Sequence, residues 1–254
     1  MLIDTHCHIH EIDFPLNTDE VINRAHQAGV MQMICVGTNL ESSRQALEFA
    51  KSQDGVFASV GIHPHYATGE LSKLADLEKL IITNDKLVAI GEIGLDYHYT
   101  NSSPSEQIKL LEAQIELAIK HDIPIIFHVR DAFDDFWPVL DKFPQLHGVL
   151  HCFTDSIESA EEGLKRGFYI GINGISTFTK DEVQKLMFKS IPIDRILLET
   201  DAPFLTPTPL RGKVKVNEPA YIKEIAEYNC QVRHISFDEL ANITTANART
   251  LFKL

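Results

Sequence analysis

Short, continuously apolar runs recur along the chain and alternate with segments whose apolar residues return every three or four positions. The runs fall at 2–3, 31–36, 56–61, 87–90, 124–127, 148–150, 168–172 and 196–198. Strands buried on both faces of a parallel sheet have this character. Between them the spacing predicts helices over 19–28, 41–51, 71–82, 104–121, 133–143, 157–166 and 181–190. In the second of these, Leu40, Ala46, Leu47 and Ala50 share the inward side. Thr18 or Asp19 is placed to cap the first helix and Gly29 to end it. Three further helices, near 221–228, 237–242 and 247–252, follow the last strand. Strand and helix alternate at intervals of roughly 20 to 35 residues, which spells βαβ units. Eight such units suggest a closed (β/α)8 barrel, an α/β fold of about 250 residues. A doubly wound open sheet is the alternative. The chain has 254 residues, and no linker, short-period repeat or low-complexity tract divides it. Residues 1–254 are therefore expected to form a single domain.

Ligand-type side chains stand where these strands end. Leu2-Ile3 runs into Asp4-Thr5-His6-Cys7-His8, and in extended backbone His6 and His8 point to the same face. His63 follows the third run, Glu92 the fourth, His128 the fifth, His151 the sixth and Asp201 the eighth. Barrel enzymes build their sites at this C-terminal end of the strands. Any one of these residues has a plain structural explanation, such as a core histidine at His128 after Ile125-Ile126-Phe127. Together, four imidazoles (His6, His8, His128, His151) and two carboxylates (Glu92, Asp201) exceed the needs of one tetrahedral ion. They suit two divalent ions about 3.5 to 4 Å apart that share a bridging group. Glu92 is the natural bridge, because it offers two oxygens and its strand lies between the two ligand groups. The mixed N/O set admits zinc, manganese or magnesium. His10, His65 and His98 are expected near the same mouth without a ligand role. Asp96 reads as a turn cap or a supporting group, and Phe133, Phe136 and Trp137 as a helix face packed on the barrel.

Composition adjusts this picture. Thirty-six acidic residues against 23 Lys and Arg give a formal net charge of -13, which argues against a broad nucleic-acid-binding face. An enzyme that grips one phosphodiester through metal ions and a few local cations remains compatible with it. Cys7, Cys35, Cys152 and Cys230 form no Cys-x-x-Cys pair, so neither a disulfide framework nor a structural zinc site is expected. Cys7 and Cys152 read as packing residues turned away from the site by strand alternation. No apolar run approaches the roughly 20 residues needed to cross a bilayer. The opening stretch, with Asp4 and Glu11, lacks the basic and apolar regions of a signal peptide. These features lead to the expectation of a cytoplasmic protein without membrane contact, a monomer with no stable protein partner.

The motifs also carry a family resemblance. Asp4-Thr5-His6-Cys7-His8, Val60-Gly61-Ile62-His63-Pro64-His65, Gly91-Glu92-Ile93-Gly94-Leu95-Asp96, Phe127-His128-Val129-Arg130, His151-Cys152-Phe153 and Glu199-Thr200-Asp201-Ala202-Pro203-Phe204-Leu205 closely resemble the TatD family of metal-dependent deoxyribonucleases. That family belongs to the amidohydrolase-like barrels, and the resemblance covers essentially the whole chain in order. It implies a TIM barrel with a two-metal site that hydrolyses phosphodiesters in DNA, often from the 3′ end. It assigns His6, His8, Glu92 and Asp201 to one metal, and Glu92, His128 and His151 to the other. His63 matches a position near the substrate phosphate. One departure concerns the loop after the last strand. The family commonly has Arg-Gly-Lys, one residue, then Asn-Glu-Pro, whereas here Arg211-Gly212-Lys213 is followed by Val214-Lys215-Val216 before Asn217-Glu218-Pro219. Which of Arg211, Lys213 and Lys215 reaches the substrate is left open.

The expected reaction is hydrolysis of DNA, as a 3′-5′ exonuclease on single strands, by a metal-activated water. Glu92 bridges, Asp201 ligates and orients or deprotonates the water, and His63 bonds the phosphate or protonates the leaving oxygen. Arg211 and one of the lysines, with Lys213 as the candidate, are expected to grip phosphate. A hydrolase acting on a small amide, lactone or ester keeps the same barrel and metals; the acidic charge favours it and the basic loop after the last strand opposes it. A non-catalytic relic barrel would be missing ligands, and none is missing in the sequence.

Overall fold

A computed structural model describes residues 1–99, 101–143 and 145–254. Its strands are β1 (Leu2–Cys7), β2 (Val30–Val36), β3 (Val56–Val60), β4 (Leu87–Asp96), β5 (Ile125–Arg130), β6 (Gly148–Leu150), β7 (Tyr169–Ile172) and β8 (Ile196–Leu198). They pair in parallel in sequence order. The ring closes between its ends. The Asp201 amide donates to the His6 carbonyl (2.9 Å) and the His8 amide to the Ala202 carbonyl (2.7 Å). The Thr5 hydroxyl adds a bond to the Leu198 carbonyl (3.0 Å). This is the expected barrel and not an open sheet.

Helices α1 (Thr18–Gln27), α2 (Leu40–Ser52), α3 (Leu74–Ile82), α4 (Pro104–His121), α5 (Phe133–Leu140), α6 (Ile157–Lys165), α7 (Ile175–Phe178), α8 (Glu182–Ser190), α9 (Ile222–Arg233) and α10 (Phe237–Phe252) complete the chain. Most of the apolar core lies between the outer strand faces and this helical layer. Burial there contributes about 1.5–3 kcal/mol for each large side chain. A second cluster fills the barrel itself, made by Ile3, Ile34, Val36, Ala89, Ile126, Val149, Tyr169 and Leu197, with Ala248, Leu251 and Phe252 of α10 packed beneath. This plug sets the height of everything above it. Ile126, Val149 and Leu197 each stand two residues before His128, His151 and Glu199, so strand alternation carries those three polar groups into the layer over the plug. Phe133 and Phe136 of α5 are buried, and Trp137 sits half-buried with its ring centroid 5.2 Å from each. The three form the packing face expected of that helix.

The elements differ from the sequence pattern in a few places. Asn17, not Thr18 or Asp19, caps α1, its side-chain oxygen accepting from the Glu20 amide (3.0 Å). Residues 70–73 make a separate 3₁₀ turn before α3. β4 continues to Asp96 because Gly94 admits β5 so closely that a Cβ there would collide with the His128 carbonyl oxygen. α9 extends to Arg233, and 237–252 is one helix instead of two. The β-branched run Ile243-Thr244-Thr245 stays helical: Thr244 bonds back to the Leu240 carbonyl (2.9 Å) and Thr245 reaches the Met1 carbonyl (3.0 Å).

The loop after β8 is pinned at its far end. Asn217 donates to the Thr200 carbonyl (2.9 Å) and to the Phe204 carbonyl, closing the loop on itself. Glu218 is 2% exposed and takes a two-pronged bond from Arg24 of α1, at 2.8 Å from Nε and 2.7 Å from Nη2. Arg24→Ala leaves that carboxylate buried and unpaired. Arg24 itself is 41% exposed, so the expected loss is about 2–3 kcal/mol, below the fully buried case. Urea unfolding should show a lower midpoint at unchanged slope. A loss under about 0.5 kcal/mol, the range of ordinary surface substitutions, would rule out the anchoring role.

Candidate metal centre

β1 ends inside the barrel mouth and brings His6 (0% exposed) and His8 (5%) together, their Nε2 atoms 3.1 Å apart. Asp201 enters from the turn after β8, where its φ of 57° bends the chain inward. Its Oδ1 lies 3.6 Å from His6 Nε2 and 3.5 Å from His8 Nε2. Glu92 completes this group at 3.9 Å from His6 and 3.8 Å from His8. On its other side Glu92 Oε2 is 3.4 Å from His128 Nδ1 and 3.3 Å from His151 Nε2. All six residues anticipated as ligands converge, with Glu92 at the junction of the two sets.

The supporting bonds decide which nitrogen each ring presents. His8 Nδ1 faces the Val36 carbonyl (2.9 Å), which only accepts, so it carries the proton. His128 Nε2 donates to Asp96 Oδ2 (3.0 Å), and His151 Nδ1 lies 3.2 Å from Glu199 Oε1. Each arrangement points the opposite nitrogen at Glu92, where loss of its proton would free a lone pair for a metal, the usual way a protein orients metal-binding imidazoles. Among the described residues His6 Nδ1 has no hydrogen-bond partner, and its ring stacks on His151 with centroids 3.6 Å apart. The donor separations of 3.1–3.9 Å bracket the edge of about 3.4 Å expected around an ion with 2.1 Å bonds. The donor set thus fits divalent cations.

Electrostatics agrees with an ionised hub. Burial alone would raise the Glu92 carboxyl, but the bonds from His128 and His151 and the charge of His151 outweigh it and hold the group well below the usual carboxylate range. Burial would likewise lower His8, yet the Asp201 bond and the charges of Glu92 and Asp201 lift it to about 9.

Several supporting residues were not singled out by sequence. Glu199 (1% exposed) accepts from the Cys152 amide (2.7 Å) and the Asn173 side chain (3.2 Å) while it faces His151. Its only signal was parity, since Leu197 faces the core two residues earlier, as Ile126 does for His128. Asp4 is fully buried and accepts from the Thr200 amide (2.9 Å) and hydroxyl, tying β1 to the end of β8; burial pushes its carboxyl up to about 7. Asp96 combines both suggested uses. Its Oδ1 accepts from the His98 (2.9 Å) and Tyr99 (3.3 Å) amides, and its Oδ2 faces His65 (2.9 Å) and His128.

His63 caps a short turn after β3, buried 4.3 Å between ring centroids from His128. Its Nδ1 accepts the His65 amide (3.1 Å). Burial and the nearby charge of His128 hold the ring well below its ordinary pKa, so the neutral ring carries its proton on Nε2. His10 is turned to Ser42 (3.1 Å) and His98 to Asp131 (3.0 Å). In the loop after β8 the guanidinium of Arg211 lies 3.8 Å over the Phe178 ring, while Lys213 and Lys215 are exposed.

Comparison with known proteins places these features in a family. The family described as TatD related DNase matches residues 3–253. The metal-dependent hydrolase YabD of Bacillus subtilis is 39% identical over the full length of both chains. The 3′-5′ ssDNA/RNA exonuclease TatD of Salmonella typhimurium is 38% identical over 95% of each. Among solved structures, the TatD homologue YJJV of Escherichia coli superposes with a TM-score of 0.89 at 32% identity, covering 100% of this chain and 98% of that one. Full-length matches to these proteins, on a barrel whose mouth gathers the metal-type donors, make this chain a member of the TatD family of metal-dependent hydrolases.

Proposed function

We propose that the chain cleaves phosphodiester bonds in DNA, removing nucleotides from the 3′ end of a single strand. The observation that carries this reading is Glu92, whose carboxylate lies within 3.9 Å of all four imidazoles and so joins two donor sets. The exonuclease named among its relatives supports the choice of bond. His6, His8, Glu92 and Asp201 would hold one divalent ion, and Glu92, His128 and His151 a second. Such ions would supply an acidified water and neutralise charge on the attacking and leaving oxygens.

The chain's own groups do the rest. Asp201, the more open of the two carboxylates with 15% of its side chain exposed against 7% for Glu92, orients the attacking water and accepts its proton. His63 donates from Nε2 to a phosphate oxygen; a neutral ring with a depressed pKa suits this better than protonating the leaving group. Arg211, placed over the Phe178 ring, and Lys213 grip the phosphate. The same reading takes residues 1–254 as one catalytic domain, working as a cytoplasmic monomer. No helix of the described residues is long and apolar enough to cross a membrane.

Chelator-stripped protein should leave 3′-labelled single-stranded DNA intact, and refilling with magnesium, manganese or zinc should restore stepwise shortening. Metal-loaded protein that cuts no nucleic acid but turns over a lactone or amide panel would overturn the choice of substrate.

A further inference from the structure

β5 sends one more side chain toward the mouth. Ile126 faces the barrel core and His128 faces Glu92, so alternation turns Arg130, the last residue of the strand, to the same side. Its guanidinium carbon lies 5.3 Å from the centroid of the Tyr99 ring, and Tyr99 is fixed by its own amide bond to Asp96 (3.3 Å). Arg166 on Trp137, Arg195 on Tyr169 and Arg211 on Phe178 are stacked in the same way, and of these Arg211 lies in the loop after β8. Among the described residues the carboxylate pairs of arginine fall to Arg24, Arg44 and Arg166. Arg130, Arg195, Arg211, Arg233 and Arg249 have none, in a chain with 36 acidic residues, and of these Arg130 stands at the end of β5 and Arg211 in the loop after β8. Asp131, next to Arg130, is turned to His98 (3.0 Å).

A guanidinium resting on an aromatic face keeps its edge N–H groups free in a planar fork, which matches two oxygens of a phosphate. Arg130 stands two residues, about 6.6 Å of strand rise, beyond His128. Its seat on Tyr99 holds it above the donor layer that would engage the phosphate being cleaved. We propose that Arg130, seated on Tyr99, binds a second phosphate of the substrate and thereby selects chains with at least two phosphates over single-phosphate esters. This rests on the phosphodiesterase reading above and adds a requirement on substrate length.

The test compares Arg130→Ala with the wild type on two substrates, a short oligothymidylate and bis(p-nitrophenyl) phosphate, which has one phosphate. The oligonucleotide should lose about tenfold to a hundredfold in kcat/KM, carried by KM. The single-phosphate ester should be cut as before. Binding of a cleavage-resistant phosphorothioate oligothymidylate gives a readout independent of turnover. Its slope of log affinity against log salt should shrink by about 0.7 in Arg130→Ala, one phosphate contact on a single strand. Arg130→Lys should recover the slope but not the full affinity, and Tyr99→Leu should weaken binding at unchanged slope. Equal losses on both substrates, or wild-type binding by Arg130→Ala, overturn the second-phosphate role. Failure of the wild type to cut either substrate sinks the phosphodiesterase reading, and Arg130 is then judged by binding alone; wild-type protein that binds no oligonucleotide overturns it too.

Discussion

Glu92→Ala is expected to lower turnover by at least about a thousandfold, or roughly 4 kcal/mol of transition-state stabilisation, while the barrel stays folded. The size follows from position. Each other candidate ligand is assigned to one donor set, whereas the Glu92 carboxylate faces both, at 3.8–3.9 Å on the His6–His8 side and 3.3–3.4 Å on the His128–His151 side. Its loss therefore breaks both sets at once and separates whatever charge they hold in common. The fold should survive because the backbone of β4 keeps its pairing with β3 and β5, and the plug below does not involve residue 92. Circular dichroism and thermal unfolding should match the wild type to within a few degrees, and metal bound per chain should fall. Glu92→Gln, which keeps the shape and removes the charge, should be nearly as inactive. Activity above a few per cent of wild type in either variant would falsify the bridging role.

The barrel was legible because strands buried on both faces must be apolar throughout, and their ends are marked by polar residues that have to face the mouth. Counting two from an inward apolar residue finds His128 and His151. The same count would have found Glu199, but a lone acid in Leu198-Glu199-Thr200 reads as a loop until Gly171 of the neighbouring strand and Asn173 just after it are set beside it. Asp4 is similar. Its partner Thr200 is 196 positions away, and only closure of the ring brings the two together. The tie between Asp96 and His128 depends on the register of β4 with β5, which pairs Gly94 with His128 and which no local pattern specifies. Asn17 and the unbroken α10 were missed for a smaller reason: single bonds to backbone groups, at Glu20 and Leu240, outweigh residue preference at a helix end or in a β-branched run.

Glu199 also supplies the second large effect, through Gly171. A Cβ at Gly171 would run into the Glu199 carboxylate, whose Cδ would be only 2.8 Å from it. That carboxylate has little freedom to move, being 1% exposed, bonded to the Cys152 amide and Asn173, and 3.2 Å from His151 Nδ1. Gly171→Ala should therefore displace Glu199, release His151 from its orientation and weaken metal binding by about tenfold to a hundredfold, the usual effect of losing such a support. Glu199→Ala alone should weaken it by a similar factor, because it frees the same ring. The two changes should not add. Once the Glu199 side chain is gone the methyl group has room, so the double variant should bind metal about as well as Glu199→Ala. Metal affinity measured across this four-protein cycle decides the matter. If Gly171→Ala still costs tenfold in the Glu199→Ala background, the glycine answers to the backbone of β7 and not to the carboxylate, and Glu199 does not transmit its effect to His151.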